Sequence, residues 1–273
     1  MFFTVGNVIR RNNTDDEFRQ WGKMVSDALA SLGLVKTADT GQINWASVAR
    51  PTSTSQSMGY EIWRFNDALQ STSPIFFKLE YGGSPSSASA PAMWVTPGQG
   101  SNGSGTITVN AGSTYRRIIQ TDTPVVATTY TSYFSSNTGQ FVMGLWSEST
   151  QSQVFGIERS NDTAGVSTDS YFTTIVQANQ LTQPKIGESP GWDSHLRATP
   201  PALLGTIDQK RPVFEQRPYL GGWGKPLTLV MGIDGNQWAN ESYQNFNVQI
   251  YGKTYIYKVL PYISDDNLAI RWE

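Results

Sequence analysis

The spacing of apolar residues changes from a helical to an extended period, and this change constrains the fold more than any other feature. Near the N-terminus the apolar residues recur at intervals of three and four: Phe18, Trp21, Val25, Ala28, Leu29 and Leu32. Further along, Ile75, Phe77, Leu79 and Tyr81 alternate with Lys78 and Glu80 in the segment PIFFKLEYGG. The first period is that of an amphipathic helix and the second that of half-buried strands.

Helix-start and helix-stop residues flank the first pattern. Thr14 and Glu17 have the Ser/Thr-x-x-Glu spacing of a capping box, and Gly33 follows the last apolar residue, where a C-terminal cap is expected. These signals predict one helix from about Asp15 to Leu32, preceded by an arm, so that residues 1–33 form an N-terminal arm and helix. A single apolar stripe favours packing against the chain's own sheet over docking onto a neighbouring subunit.

Segments with the extended period occur through most of the remaining chain. Strands are predicted at 60–65, 74–83, 92–96, 105–110, 125–134, 140–147, 153–160, 170–177, 227–233, 245–251 and 254–260. Short connections rich in Gly, Asn and Ser, such as Gly252-Lys253, indicate hairpins and therefore antiparallel neighbours. We expect a mainly β fold: an antiparallel β-sandwich or barrel-like sheets, with one N-terminal amphipathic helix and long irregular loops.

Residues 180–226 interrupt this pattern with a segment dense in Pro and Gly. So long an irregular segment is usually functional or ordered against something else, and it is predicted either to contact a partner or to wrap around the sheet. With no other break, residues 1–273 are predicted to form a single β-rich structural domain. Residues 84–91, SPSSASAP, are expected to be a flexible hairpin tip.

Composition excludes several classes of partner. Charged residues make up 15% of the chain, the net charge is −2, and Lys/Arg doublets occur at Arg10-Arg11 and Arg116-Arg117. That distribution lacks the basic patch that nucleic-acid binding needs. There is no cysteine, which removes disulfides, thiol nucleophiles and Cys-ligated zinc. No apolar run is long enough to cross a membrane as a helix.

A glycine-rich loop, PGQGSNGSGT at 97–106, contains the spacing of a dinucleotide-binding fingerprint in Gly98, Gly100 and Gly103. The context contradicts that chemistry, because the residues after Gly103 alternate like a strand, whereas the fingerprint opens a helix. Asp122, about 20 residues further on, sits in the turn TDTP. We therefore expect no cofactor, and we interpret the loop as a mobile connection between two strands, 93–96 and 105–110.

The single histidine is His195, beside Asp193 and Ser194 in GWDSHL. Adjacent residues point in different directions and cannot align as a nucleophile, base and orienting acid. Residues 161–169, NDTAGVSTD, resemble a calcium loop only loosely, so no metal is expected either.

Four glutamates on or near predicted strands are candidate acids for glycoside hydrolysis: Glu61, Glu80, Glu148 and Glu158. Such chemistry needs two carboxylates at a defined separation, which the sequence does not establish. The interpretation is that the protein is not an enzyme and has no catalytic residues. Its many aromatic residues suit the anchors of protein interfaces, and exposed ones could also stack on sugars.

Several segments together resemble virion structural proteins of tailed bacteriophages: LVKTADTGQIN, GYEIWRFNDALQSTSPIFFKLEYGG, PGQGSNGSGT, VFGIERSNDTAG and the terminal LAIRWE. The resemblance extends in pieces over most of the chain, and no functional residue is carried over from it. It implies a particle component of the tail, baseplate or head-to-tail region, located in the virion after assembly in the host cytoplasm. Its partners would be other virion proteins and copies of itself.

Two alternatives remain open: a capsid decoration protein, and a receptor- or carbohydrate-binding module that recognises host-surface glycans. A charge-poor, β-rich subunit suits symmetric assembly through strand addition or inserted arms. The candidate contact arms are the N-terminal MFFTVGNVIRR and the C-terminal NLAIRWE.

Overall fold

A computed structural model describes the chain in segments. These are residues 2–108, 117–121, 129–146, 152–161, 167–177, 185–188, 203–207, 211–214, 230–234, 245–250, 253–259 and 266–271.

One α-helix, α1 (Asp15–Ser31), and nineteen strands are assigned in these residues, together with a short 3-10 helix at Ala68–Ser71. The strands before residue 125 are β1 (Phe2–Ile9), β2 (Val35–Lys36), β3 (Ser57–Arg64), β4 (Phe76–Gly83), β5 (Pro91–Gly98), β6 (Gly100–Ser101), β7 (Ile107–Thr108) and β8 (Arg117–Thr121). The next five are β9 (Thr129–Asn137), β10 (Gln140–Trp146), β11 (Ser152–Asn161), β12 (Ser167–Gln177) and β13 (Lys185–Glu188). The last six are β14 (Leu203–Ile207), β15 (Arg211–Phe214), β16 (Val230–Asp234), β17 (Asn245–Ile250), β18 (Lys253–Val259) and β19 (Asp266–Arg271).

These strands form four antiparallel sheets. The first has the order β1-β9-β10-β11-β12-β13, the second β2-β3-β4-β5-β8, and the third β14-β15-β16-β19-β18-β17. Strands β6 and β7 make a separate two-stranded ribbon. Within the described residues no ladder closes a sheet into a barrel. The expected mainly β, antiparallel class with one N-terminal helix is confirmed.

The helix begins and ends where the capping signals predict. The Thr14 hydroxyl accepts a hydrogen bond from the Glu17 amide at 3.1 Å, and the Glu17 carboxylate accepts one from the Asn13 amide at 3.1 Å. At the other end the amides of Gly33 and Leu34 donate to the carbonyls of Ala30 and Leu29, which is the Schellman pattern. Gly33 has φ +81°, a left-handed conformation that glycine adopts without strain.

The apolar stripe of α1 packs against the chain's own sheets, as predicted: Trp21 contacts Tyr81 of β4, and the helix also lies against β1 of the first sheet. Phe18, Trp21, Val25 and Leu29 are each fully buried, whereas Asp16, Gln20, Lys23 and Asp27 on the opposite side are exposed. The Trp45 ring lies so close to the helix that a Cβ on Gly22 would be 2.1 Å from its Cη2 atom. Within the described chain, no helix combines the length and apolar character needed to span a membrane.

The first and second sheets face each other around an aromatic contact. Phe77 of β4 stacks on Phe141 of β10, with ring centroids 5.5 Å apart and planes 4° from parallel. Phe155 of β11 meets Phe77 edge-on at a centroid distance of 5.5 Å. Side chains from both sheets and from α1 therefore share one hydrophobic core.

Both candidate contact arms are strands of the chain's own sheets. The N-terminal arm forms β1, which pairs with β9 from Phe2↔Ser136 to Ile9↔Thr129, and the C-terminal segment forms β19, between β16 and β18. The expectation of an irregular segment at 180–226 is wrong for residues 185–188, 203–207 and 211–214, which form β13, β14 and β15. The sequence pattern also failed to predict short strands that lack full alternation, such as β8. A period of two can be recognised only over several consecutive residues.

Candidate functional site

The glycine loop at 97–106 is an ordered hairpin. Strand β5 continues through Pro97 and Gly98, and β6 then pairs with β7. Gly103 and Gly105 have φ values of +80° and +91°, the left-handed region that the tight reversal requires. The Asn102 side-chain carbonyl accepts hydrogen bonds from the amides of Ser104 and Thr106 at 2.9 and 3.0 Å.

A buried carboxylate, Asp39, fixes this hairpin to the loop after β2. Its Oδ2 atom accepts hydrogen bonds from the Ser101 hydroxyl and from the Gly105 amide, the latter at 3.0 Å, and its Oδ1 atom accepts one from the Thr37 hydroxyl. The Thr40 amide donates to the Gly103 carbonyl at 2.9 Å. Burial opposes the charge on Asp39, but the hydrogen bonds outweigh it and lower the carboxyl pKa. The glycine loop, for which a mobile connection was expected, is thus hydrogen-bonded at its tip to the loop after β2.

The most concentrated polar cluster surrounds Glu61, whose side chain is fully buried on β3. Its Oε1 atom accepts from Ser26 Oγ at 2.8 Å, Lys36 Nζ at 2.7 Å and Trp45 Nε1 at 3.0 Å. Its Oε2 atom accepts from the Tyr81 hydroxyl at 2.9 Å and Trp63 Nε1 at 3.3 Å. One carboxylate thus holds α1, β2, the loop at Trp45, β3 and β4.

The hydrogen bonds around Glu61 link neighbouring structural elements, so the cluster acts as a structural brace. Burial, reinforced by the charge of Glu61 and their hydrogen bond, raises the pKa of the Tyr81 hydroxyl well above its ordinary value, so Tyr81 remains a donor. Lys36, whose side chain is 34% exposed, is the cationic partner of the buried Glu61 carboxylate. The Glu61 carboxylate, with five donors, is therefore occupied by hydrogen bonds from the protein itself.

The other candidate acids do not join Glu61. Because side chains alternate across a strand, Glu80 on β4 lies on the face opposite to Leu79, the residue paired with Glu61. Glu158 on β11 likewise points away from Ile157 and the core, and accepts a hydrogen bond from Gln140 Nε2 at 2.7 Å. Glu148 lies outside the described residues. Within the described part of the chain, the structure does not bring Glu61, Glu80 and Glu158 to one site.

A second buried charge, Arg159 on β11, was missed by the sequence reasoning. Its Nε atom donates to the Ser73 carbonyl at 2.8 Å, Nη2 to Gln70 Oε1 at 3.1 Å, and Nη1 to Asp67 Oδ2. The Gly139 amide also donates to Asp67 Oδ2, at 2.8 Å. These bonds clamp the loop at 65–73 onto the first sheet. Arg159 is preceded by an ordinary alternating segment, so nothing in the sequence distinguishes it from a surface charge.

Asn12, between β1 and α1, is a third internal brace. Its Nδ2 atom lies 3.1 Å from the carbonyl oxygens of Gly82, Ala88 and Ala90, and its Oδ1 atom accepts from Trp21 Nε1 at 2.9 Å. The tip of the β4–β5 hairpin, where flexibility was expected, is therefore held by hydrogen bonds to the start of the helix.

Several residues singled out from the sequence lie outside the described residues: Asp122, His195, Asp193, Ser194 and the centre of the 161–169 loop. The described chain contains no group of three or more residues that could hold a metal ion. Its large exposed apolar side chains are Val5, 49% exposed, and Leu69, 40% exposed. Trp21, Trp63 and Trp94 are buried, so these tryptophans form core and are not available to stack on sugars.

The structure thus defines an antiparallel β-sheet protein with one covering helix, in which buried charges hold sheets and loops together. Comparison with protein-family models gives no match, and comparison with curated proteins also gives none.

Proposed function

We propose that the protein is a non-catalytic structural subunit of a tailed-phage virion, in the tail, baseplate or head-to-tail region, that works by symmetric assembly with copies of itself and with other virion proteins. The observation that carries this proposal is the use of the buried polar groups. Glu61, Asp39 and Arg159, the groups that would suit a reaction centre, are occupied by hydrogen bonds that fix neighbouring elements.

Surface chemistry supports the same function. A chain with 15% charged residues and a net charge of −2 covers itself with Ser, Thr, Asn and Gln, which lets large surfaces approach without strong repulsion. Antiparallel sheets with open edges add a second mode of contact, because main-chain groups at an edge can pair with another chain. The reason for placing such a subunit in a phage particle is the resemblance of several sequence segments to virion proteins of tailed phages.

Mass spectrometry of purified particles from the phage that encodes the chain tests the proposal, combined with averaged density of the same particles. We expect the chain to be a stoichiometric particle component, with density for its sheets in the tail, baseplate or neck. Absence from purified particles contradicts the proposal. Density distributed over the capsid lattice instead identifies a decoration protein.

The carbohydrate-binding alternative has a separate test. If the chain recognises host glycans, the isolated protein should bind to cells of the host and lose that binding when surface polysaccharide is removed. The buried state of Trp21, Trp63 and Trp94 means that such a site would have to use other aromatic residues.

A further inference from the structure

Asn102 and Gly103, at the tip of the glycine loop, form the one Asn-Gly pair in the sequence. A glycine after asparagine leaves its backbone nitrogen unobstructed, so this nitrogen can attack the side-chain amide carbon and close a succinimide ring. Both residues are exposed, and within the described residues no atom beyond the chain neighbours lies within 4 Å of where a Cβ on Gly103 would be. Water therefore reaches the pair, and the hydrogen bonds around it decide how readily it reacts.

Two backbone donors hold the side-chain carbonyl of Asn102. Its Oδ1 atom accepts hydrogen bonds from the Ser104 amide at 2.9 Å and from the Thr106 amide at 3.0 Å. When a nucleophile adds to the amide carbon, negative charge develops on this oxygen, and donors at about 2.7–3.1 Å stabilise such an oxyanion. The two amides therefore lower the barrier to addition at Asn102.

A proton acceptor lies beside the Gly103 amide. The Gly103 N–H donates to Ser101 Oγ at 3.3 Å, and the Ser101 hydroxyl in turn donates to Asp39 Oδ2. Burial opposes the charge of Asp39, but its hydrogen bonds outweigh burial and lower the pKa of the carboxyl, which keeps it ionised near neutral pH. A nucleophile, a hydroxyl relay and a carboxylate thus follow one another, as in sites where a weak nucleophile is activated.

We propose that the folded hairpin promotes the cyclisation and deamidation of its own Asn102. The Gly103 nitrogen forms a bond to the Asn102 side-chain carbon and gives up its proton through Ser101 to Asp39. The bond from that carbon to the amide nitrogen then breaks, and ammonia leaves with the proton that Asp39 received. Water opens the succinimide at either carbonyl, which leaves an aspartyl or an isoaspartyl residue at position 102. The chain changes once and does not turn over, so the reaction needs no partner and goes beyond the proposed function.

The two products alter the hairpin tip in different ways. An aspartyl residue keeps the acceptor oxygen and adds a negative charge to a chain whose net charge is −2. An isoaspartyl residue lengthens the backbone by one methylene group just before Gly103. The Gly103 carbonyl accepts from the Thr40 amide at 2.9 Å, so this lengthening displaces the contact that ties the tip to the loop after β2.

Mass spectrometry of the purified full chain, native and unfolded in urea at the same pH and temperature, tests whether the fold promotes the reaction. Replacing the amide by a carboxyl increases the mass, and peptide mapping assigns the change to a residue. We expect Asn102 to react at least about tenfold faster in the native protein, because the acceptor and the donors are in place only when the hairpin is formed. Asn66, which is exposed but followed by Asp67, is the internal control and should keep its amide. A native rate no higher than the unfolded rate would overturn the inference.

Ser101→Ala tests the relay, because it removes the hydroxyl between Gly103 and Asp39 and keeps the Asn-Gly pair. We expect the native protein to lose the Asn102 amide at least about tenfold more slowly, and the two chains to react alike in urea. Ser101→Thr restores a hydroxyl and should restore the native rate. Hydrogen exchange at the Gly105 amide, which donates to Asp39 at 3.0 Å, establishes that the hairpin is formed in each variant. An unchanged native rate in a Ser101→Ala protein with a formed hairpin contradicts the relay.

Discussion

Two ion pairs, each with one buried member, hold different parts of this protein, and they differ in how far apart their partners lie in the sequence. The Lys36–Glu61 pair joins residues 25 positions apart and links the neighbouring strands β2 and β3 of the second sheet. The Asp67–Arg159 pair joins residues 92 positions apart and connects the two sheets of the sandwich. The first pair belongs to the helix-covered half of the molecule, by which we mean α1 and the second sheet. The second pair secures the contact between this half and the first sheet, which forms only when segments distant in the sequence meet.

The two clusters also balance their charge differently. Glu61 is surrounded by neutral donors, and its one cationic partner, Lys36, is 34% exposed. Arg159 is 3% exposed and its charge is met by a carboxylate that is itself 13% exposed. Removing either buried charge leaves its partners without hydrogen bonds, and such losses are large because the unpaired groups stay desolvated.

Glu61→Ala is expected to cause the largest loss. It leaves five donors without their acceptor, and we expect the free energy of unfolding to fall by about 4 kcal/mol. Urea unfolding followed by circular dichroism measures this. Glu80→Ala is the control, since Glu80 is on the neighbouring strand but on the opposite face, and it should cost less than about 1 kcal/mol. Similar losses for the two variants would show that the Glu61 cluster is not a brace.

Arg159→Met is expected to lower the free energy of unfolding by about 3 kcal/mol, because it leaves the Asp67 carboxylate without its cationic partner. The double variant Arg159→Met/Asp67→Asn should recover about 1–2 kcal/mol, since the unpaired charge is gone. Hydrogen exchange separates this region from the first: exchange should rise at residues 137–140 and 65–73 while the amides of α1 remain protected. Equal loss of protection in α1 would mean that the two halves do not respond separately.

Sequence patterns predict the helix-covered half well. Thr14, Glu17 and Gly33 define the helix to within a residue, because capping depends on side chains and backbone a few positions apart. The alternation in β4 gives the buried face that carries Phe77, Leu79 and Tyr81. These signals depend only on residues that lie close together in the sequence.

The buried clusters could not be predicted in the same way. Glu61 was selected as a candidate acid, but its five donors come from segments up to 35 residues away, and only the fold brings them together. Arg159 gives no signal, because its partners at 67, 70 and 73 are fixed by the packing of two sheets. The glycine loop was read as mobile because Asp39, which holds it, lies more than 60 positions earlier.

Gly22→Ala probes the packing of the helix-covered half with a smaller effect. Alanine favours a helix over glycine by about 1 kcal/mol, but the new Cβ would lie 2.1 Å from the Trp45 ring, and overpacking costs about 1–3 kcal/mol. We expect a net loss of up to about 2 kcal/mol in thermal or urea unfolding. Gln20→Ala, on the exposed side of the same helix, should change stability by less than about 0.5 kcal/mol. A stabilised Gly22→Ala variant would show that Trp45 moves aside freely.

Acid should affect the helix-covered half first, and this is the smallest of the expected changes. The Arg11 guanidinium hydrogen-bonds to Glu17 and lowers the pKa of that carboxyl, with further hydrogen bonds from the backbone at Asn13 and Thr14. A carboxyl whose folded-state pKa is lowered stabilises the folded protein above its unfolded pKa, and the stabilisation disappears as pH falls through the folded value. Because Asp39 is shifted in the same direction, stability should decline below about pH 4.

Hydrogen exchange at the first turn of α1, followed between pH 6 and pH 3, locates this change. The amides of α1 near Glu17 should lose protection before those of β10 and β11, where the aromatic contact of the sandwich lies. Glu17→Gln removes the titrating group while keeping the side-chain length, so it should lower protection near neutral pH and flatten its pH dependence in the first turn. If the wild-type and Glu17→Gln proteins lose protection in parallel as the pH falls, the decline does not come from Glu17, and the acid response no longer distinguishes the two halves.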